Sequence, residues 1–243
     1  MELTLPNFIL GDCMEYIKEI PDKYFDLIIT SPPYNLGENH HTGNIRHNPY
    51  QDNLPEEEYQ EWQIDVLNEC CRVLKSDGSM FYNHKNRIKK KVMITPYEWI
   101  LKSNFILKQE LVWFNGSQNF DKCRFYPMTE RVYWLVKDKG TQLFNTINHH
   151  DVFDTNDWKP EGTKKSHKRA FPVQMPRDII SCFPNAKTVL DPFMGSGTVG
   201  VACIEKGLDY LGFEIDEDYY NAAVKRLERV KAQQSIFDLG VER

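Results

Sequence analysis

Two short segments far apart in the chain hold the residue types that can do chemistry. Thr30-Ser31-Pro32-Pro33-Tyr34 sets a hydroxyl, two ring-locked backbone units and an aromatic face side by side. Proline fixes φ, so the pair stiffens this segment and holds neighbouring groups still. Asp191-Pro192-Phe193-Met194-Gly195-Ser196-Gly197-Thr198 sets a carboxylate ahead of two closely spaced glycines. Residues Gly195 to Gly200 match G-x-G-x-x-G, a spacing that lets backbone approach a nucleotide closely, and Glu214 near the end of the next apolar run is placed to bind ribose hydroxyls. That glycine pattern alone also fits a nicotinamide-dependent oxidoreductase. Two features oppose one: Asp191 would sit beside the pyrophosphate, and the residues after Gly200 are too few for a second nucleotide-binding half.

The elements around these segments explain where they sit. Phe25 to Ile29 and Thr188 to Leu190 read as buried strands, so both motifs fall at carboxyl ends of strands, where open α/β sheets bind ligands. Strands are expected at 8–10, 26–30, 79–83, 106–114, 131–137, 188–193 and 210–215. Helices are expected at 14–20, 56–74, 95–102, 175–183, 199–206 and 218–231. Residues 35–55 lack periodicity and form a long loop, and 138–170 shows no regular structure. Alternating strands and helices imply an α/β, doubly wound, mainly parallel sheet in one domain spanning 1–243.

Taken together, and in this order, the two motifs resemble those of the DNA amino-methyltransferases of the permuted β class. These enzymes move a methyl group from S-adenosylmethionine to an exocyclic amino nitrogen of adenine or cytosine. The resemblance implies a circularly permuted, seven-stranded methyltransferase sheet of Rossmann-like type, with an antiparallel strand supplied by the 106–137 hairpin.

The cofactor it implies is S-adenosylmethionine, whose ammonium is a better partner for Asp191 than a pyrophosphate. Gly195 and Gly197 then permit close backbone approach, Glu214 takes the ribose diol, Asp12 contacts the adenine amino group, Phe193 packs near the cofactor, and Phe171-Pro172 closes over its other side. Cys13, Thr30, Pro192 and Thr198 are counted with the cofactor-binding residues. Asp12 alone also fits a turn or helix cap.

For catalysis the resemblance assigns Ser31, Pro32, Pro33 and Tyr34. The amino lone pair is delocalised into the ring, and oxygen acceptors for both N–H bonds pull the nitrogen toward sp³. The family supplies these from the Ser31 side chain and the Pro32 carbonyl, fixed in place so that orientation and electrostatics lower the barrier. Tyr34 stacks on the target base once it leaves the duplex. Glutamine methyltransferases carry a similar Asn-Pro-Pro-Tyr, but Ser31 and the motif order favour DNA. Ser in the first place, together with His167 to Pro172, resembles the N4-cytosine enzymes; N6 of adenine, usually served by Asp there, is the alternative, and a non-catalytic nucleic-acid-binding relative is a more distant one that the intact Ser31 to Tyr34 opposes.

Specificity in this family is read by variable segments, here near 115–125 and 138–166, where Asn115, Ser117, Gln118 and Asn119 suit base-edge hydrogen bonds. The resemblance further implies double-stranded DNA as partner, a homodimer, and a role either as an orphan or beside a cognate restriction endonuclease.

Composition is compatible with all this. Net charge is −5, yet 84–91 and 159–169 are basic runs suited to phosphate, with Arg46 in the long loop expected to reach phosphate too. Six cysteines show no C-x-x-C pair and no Pro-Cys dipeptide, which argues against both a metal site and thiolate attack on a base carbon. His40, His41 and His47 lack supporting ligands at regular spacing, so no metal is expected; His149 and His150 have no assigned role. Without a signal peptide or an apolar stretch of about 20 residues, the expected location is cytoplasmic, with no membrane association.

Overall fold

The computed structural model describes residues 4–37, 52–116, 124–144, 150–154 and 171–240. His40, His41, Arg46, His47, Ser117 to Asn119, Cys123, His149 and the 159–169 run with His167 to Ala170 lie outside the described residues.

The sheet strands are β1 (Asn7–Leu10), β2 (Phe25–Thr30), β3 (Leu74–His84), β6 (Ile106–Phe114), β7 (Thr129–Val136), β8 (Val152–Asp154), β9 (Thr188–Asp191) and β10 (Asp209–Glu214), with a separate hairpin of β4 (Arg87–Lys89) and β5 (Val92–Ile94). The helices are α1 (Cys13–Tyr16), α2 (Glu56–Val73), α3 (Tyr97–Ile100), α4 (Gln174–Ser181), α5 (Thr198–Lys206) and α6 (Glu217–Gly240). Across the sheet the order is β1-β10-β9-β2-β3-β7-β6-β8. Every neighbouring pair is parallel except β3 with β7 and β7 with β6, so β7 runs against the rest of this sheet. The hairpin expected at 106–137 therefore supplies the antiparallel strand.

Where sequence predicts seven strands, the sheet carries eight. The addition is β8, three residues in a region without periodicity, joined to the outer edge of β6 through Val112, Trp113 and Phe114. A strand so short leaves no alternation to read. The β4–β5 hairpin is also unexpected, because its turn places Lys90 and Lys91 at φ 51° and 66° without the glycine or asparagine that marks such turns. Further, α2 runs into β3 with no intervening turn, so the strand expected at 79–83 begins already at Leu74.

Central strands are buried on both faces, as parallel strands must be. Along β2, Leu27 and Ile29 join a core with α4, α5 and α6, while Phe25 and Ile28 join a second core with α1, α2 and α3. Tyr59, Gln63, Val66, Leu67, Cys70 and Val73 form the buried stripe of α2 at helical spacing. Glu56, Glu57 and Glu58 lie in the first turn of α2, where negative charge meets the positive end of the helix dipole. No helix among the described residues is long and apolar enough to cross a membrane.

Candidate active site

The carboxyl ends of β2, β3, β9 and β10 converge with the start of β7, because β7 is antiparallel and pairs Arg131 with His84 at the end of β3. Both sequence motifs sit on this edge. In the glycine motif, Asp191 closes β9 and is 3% exposed, so little water reaches its carboxylate. Thr30 Oγ1 donates to Asp191 Oδ1 at 2.7 Å, and the Phe193 N–H donates to the same oxygen at 3.2 Å. Burial nevertheless pushes the carboxyl up to about 7, helped by the negative charge of Glu214. A cation at this point would hold Asp191 ionised.

Gly195 and Gly197 have φ 49° and 76°, a region that residues with a Cβ rarely enter. In front of Gly195 a Cβ would meet nothing nearer than the Phe193 carbonyl at 3.9 Å, so the backbone faces open space there. The third glycine of the pattern has a packing role, since a Cβ on Gly200 would run into Met194 and Leu227. Glu214 accepts from the Gly195 N–H at 3.0 Å and the Asp216 N–H at 2.8 Å, and burial raises its carboxyl to about 7 as well. From α6, Arg226 Nη1 donates to the Ser196 carbonyl at 3.1 Å and to Thr198 Oγ1 at 3.3 Å, tying the loop down. The sequence offered no sign of this arginine, which lies 28 residues past the motif on a helix of ordinary charge pattern.

Asp12 caps α1, its Oδ1 accepting from the Met14 N–H at 2.8 Å. The Gly11 N–H donates to the Glu214 carbonyl at 2.8 Å, which brings Asp12 to the end of β10. Cys13 is buried, and burial holds its thiol well above the ordinary value, so it is no nucleophile. Pro192 is buried, and Phe193 meets Trp62 edge-on at 5.6 Å between centroids. Phe171 is buried in the core shared with α4, α5 and α6.

In the proline motif, Tyr34 turns its hydroxyl inward. It lies 2.8 Å from Ser31 Oγ, 2.9 Å from Asn83 Oδ1 and 2.9 Å from Glu130 Oε2. Its one proton has an acceptor on either Asn83 or Glu130, so the Ser31 contact is satisfied by the Ser31 O–H donating to Tyr34. That leaves Ser31 Oγ with lone pairs to offer. Burial raises the Tyr34 phenol well above its usual value and raises Glu130 as well. Asn115, expected to read bases, donates to Glu130 Oε1 at 3.2 Å. The Tyr34 ring is tilted against His84 at 4.5 Å, with Lys85 Nζ 5.3 Å from its centroid.

Residues beneath this loop escaped the sequence reading. Tyr59 and Gln63 sit in a helical stripe otherwise apolar, and both reach the Pro33 carbonyl, at 2.7 and 3.4 Å. A glutamine at a core position was the available signal, since a buried amide demands partners. Arg87, 5% exposed, pairs both terminal guanidinium nitrogens with Glu56 at 2.9 and 2.7 Å and stacks over Tyr59 at 4.7 Å. Among the described residues there is no cluster able to hold a metal.

The model of a family described as "DNA methylase", covering N6 and N4 enzymes, matches residues 25–225. The type II methyltransferase M.ScaI of Streptomyces caespitosus is 30% identical over 261 residues, covering 93% of this chain and 82% of that relative. The DNA adenine methyltransferase YhdJ of Escherichia coli K12 is 27% identical, covering 91% and 82%. Among solved structures, the PvuII cytosine-N4-specific DNA methyltransferase superposes with a TM-score of 0.72 at 21% identity, covering 93% of this chain and 91% of that one. A putative DNA modification methylase of Thermus thermophilus, solved with S-adenosyl-L-methionine, gives 0.68 at 19% identity, covering 92% and 93%. At such identities the two structures establish the fold.

Proposed function

The chain belongs to the N6/N4 DNA methylase family and is an S-adenosylmethionine-dependent DNA amino-methyltransferase; from that premise we propose that it methylates N4 of cytosine in a flipped nucleotide of double-stranded DNA. The observation that carries the amino-group reading is the 2.8 Å Ser31–Tyr34 contact, and the preference for cytosine rests on Ser31 standing where the adenine enzymes usually show Asp. Family membership replaces the nicotinamide reading of the glycine motif.

The residues around the glycine motif fit the cofactor. Asp191 offers a buried carboxylate to its ammonium, the Gly195 backbone faces open space, and Glu214 and Asp12 stand at the neighbouring strand ends. Thr30 supports Asp191, with Pro192, Phe193, Thr198, Cys13 and Phe171 around them. Bound there, S-adenosylmethionine supplies an electrophilic methyl group. Ser31 Oγ and the Pro32 carbonyl accept the two amino N–H bonds and turn the nitrogen lone pair outward. The rigid Pro32-Pro33 unit keeps those acceptors from relaxing toward a planar amine. Tyr34 offers the extruded base a ring to stack on, and the stacked duplex denies access to the same site.

Incubation with tritiated S-adenosylmethionine and unmethylated DNA, followed by nucleoside mass spectrometry, tests the base. N4-methylcytosine is expected. N6-methyladenine alone would replace it with the second reading, which the 27% identity to an adenine methyltransferase favours. Within the same reading the 115–125 and 138–166 segments recognise sequence, and the protein works in the cytoplasm as a homodimer, alone or beside a cognate restriction endonuclease. Light scattering at micromolar concentration showing a 28.6 kDa species would remove the dimer.

A further inference from the structure

Behind the Ser31–Tyr34 loop runs a buried hydrogen-bond chain with one direction. The Trp99 indole N–H donates to the Tyr82 hydroxyl at 3.0 Å, and the Tyr82 O–H donates to Gln63 Oε1 at 2.7 Å. The Gln63 amide donates to the Tyr59 oxygen at 2.8 Å, and the Tyr59 O–H donates to the Pro33 carbonyl at 2.7 Å. An indole N–H accepts nothing, so it sets the sense of every link after it. Each of these four side chains is fully buried.

His84 reinforces that sense. Its Nε2 lies 2.7 Å from the Tyr59 oxygen, and Nδ1 faces the Lys85 backbone at 2.8 Å from the N–H and 2.9 Å from the carbonyl, so the tautomer in which Nδ1 accepts from the N–H is the one that puts the proton on Nε2. In that tautomer Gln63 and His84 fill both lone pairs of Tyr59, and its single proton is left for Pro33; in the other, Nε2 competes with the Pro33 carbonyl for that proton. The Tyr59 ring is held in turn by Arg87, 4.7 Å from its centroid, and by Trp99 at 5.7 Å, edge-on.

We propose that Tyr59 is a positioning residue for methyl transfer, aiming the Pro32 carbonyl by fixing the peptide that follows Pro33. The Pro33 ring sets φ, and the hydrogen bond to its carbonyl sets ψ, so both torsions flanking that Cα are determined. The Pro32 carbonyl, one peptide back, keeps ψ of Pro32 as its one soft torsion, and with φ locked by the ring in both prolines, anchoring the Pro33 carbonyl restrains that torsion from the far side. The inference rests on Ser31 to Tyr34 being the catalytic loop, and its test separates the two.

Tyr59→Phe keeps the ring and removes the proton. Its single-turnover methylation should slow about 10- to 100-fold while DNA and S-adenosylmethionine affinities hold, because loop geometry changes and binding contacts do not. Amide hydrogen exchange at Tyr34 and Asn35, measured on the free protein, should become about five- to tenfold faster. Val66→Ala on the same helix serves as a control, compared at matched fraction folded, and should show neither change. Gln63→Leu keeps the Tyr59 hydroxyl and removes both its donor and the 3.4 Å Gln63 contact to the Pro33 carbonyl; it should show both changes at smaller amplitude, and if Tyr59→Phe does not fold, unchanged exchange in Gln63→Leu overturns the proposal. Unchanged exchange at Tyr34 and Asn35, or equal changes in Val66→Ala, would overturn the positioning role. A wild type that exchanges as described yet transfers no methyl to DNA would instead overturn the functional reading and leave the exchange comparison to decide the role of Tyr59.

Discussion

Thr30 at the end of β2 donates its side-chain hydroxyl to the Asp191 carboxylate at the end of β9, at 2.7 Å, joining two motifs 161 residues apart in the chain. The strands are neighbours through Leu27–Val189 and Ile28–Leu190, so the bond crosses from the proposed catalytic segment to the proposed cofactor segment. Thr30 is fully buried, and the partner of a buried charge contributes about 1.5–3 kcal/mol. Thr30→Val keeps the shape and removes the donor. Calorimetric titration should show S-adenosylmethionine binding weakened about tenfold or more at neutral pH, with partial recovery as pH rises and ionises Asp191.

Asp191 and Glu214 make ligand binding and stability depend on pH in opposite senses. Burial raises both carboxyls to about 7 in the fold, so the native state holds protons that the unfolded chain releases near pH 4. Their contribution to stability is therefore complete below about pH 4 and is lost as pH rises through about 7. On the proposed assignment the cofactor's ammonium prefers ionised Asp191. Its affinity should rise between about pH 5.5 and 7, by at most about tenfold per unit for one proton. Asp191→Asn should remove that share of the slope and most of the binding, with the melting temperature retained or raised near pH 7. Equal affinity in the variant would sink the cofactor assignment.

Arg87 and Glu56 form a bidentate pair whose guanidinium side chain is only 4% exposed. Breaking such a pair from one side leaves the other charge uncompensated, at a cost of about 3–5 kcal/mol. Arg87→Ala should therefore be strongly destabilising in urea, while the double variant Arg87→Met/Glu56→Gln should recover much of the loss. Burial pushes the Glu56 carboxyl up, but Arg87, Gln60 and Lys89 outweigh it and hold it below its ordinary value. Its contribution is present above about pH 4.5 and vanishes as pH falls through the depressed value in the fold.

The sheet and both motifs were legible because their signals are local: apolar runs, a proline pair and a glycine pattern. The floor of the site was not, since Tyr59, Gln63, Asn83 and Glu130 come from α2, β3 and β7 and meet Ser31 to Tyr34 only through packing. Helical periodicity over 56–74 accounts for the burial of the Tyr59 ring and is silent about its hydroxyl. Glu130 follows an irregular stretch and becomes a partner of Tyr34 only because β7 runs antiparallel to β3. Asp12 was legible in both of its readings; the cap is what the structure shows, and its place beside the end of β10 keeps the cofactor role open to test.

The basic run at 84–91 divides into two parts. Arg87 and Lys89 answer Glu56, at 2.7 and 3.5 Å, whereas Lys90 and Lys91 form the exposed hairpin turn. Charges already answered by a carboxylate contribute less counterion release than free ones. Neutralising Lys90 and Lys91 together should lower the slope of log affinity against log salt by about 1.8, and neutralising Lys89 alone should change it less. Filter binding across a salt series measures both. A slope unmoved by the Lys90/Lys91 pair would leave the hairpin as a solvated turn.

Tyr34 carries two separable contributions, because its ring and its hydroxyl face different partners. On the proposed function the ring stacks on the extruded base, a contact worth about 1–3 kcal/mol where measured by alanine substitution. The hydroxyl holds Ser31 through the 2.8 Å contact and is itself held by Asn83 and Glu130. Tyr34→Phe should therefore preserve DNA affinity and the preference for a target opposite a mismatch, where part of the extrusion cost is already met. Its methyl-transfer rate should still fall, because the Ser31 proton loses its acceptor and the lone pairs meant for the amino group are no longer oriented. Tyr34→Ala should lose both the rate and the tighter binding. Single-turnover methylation and equilibrium binding, each with matched and mismatched duplexes, separate the cases. If Tyr34→Phe turns over normally, the Ser31 contact is not what orients the acceptor; if Tyr34→Ala binds matched and mismatched duplexes as the wild type does, the base does not stack on this ring.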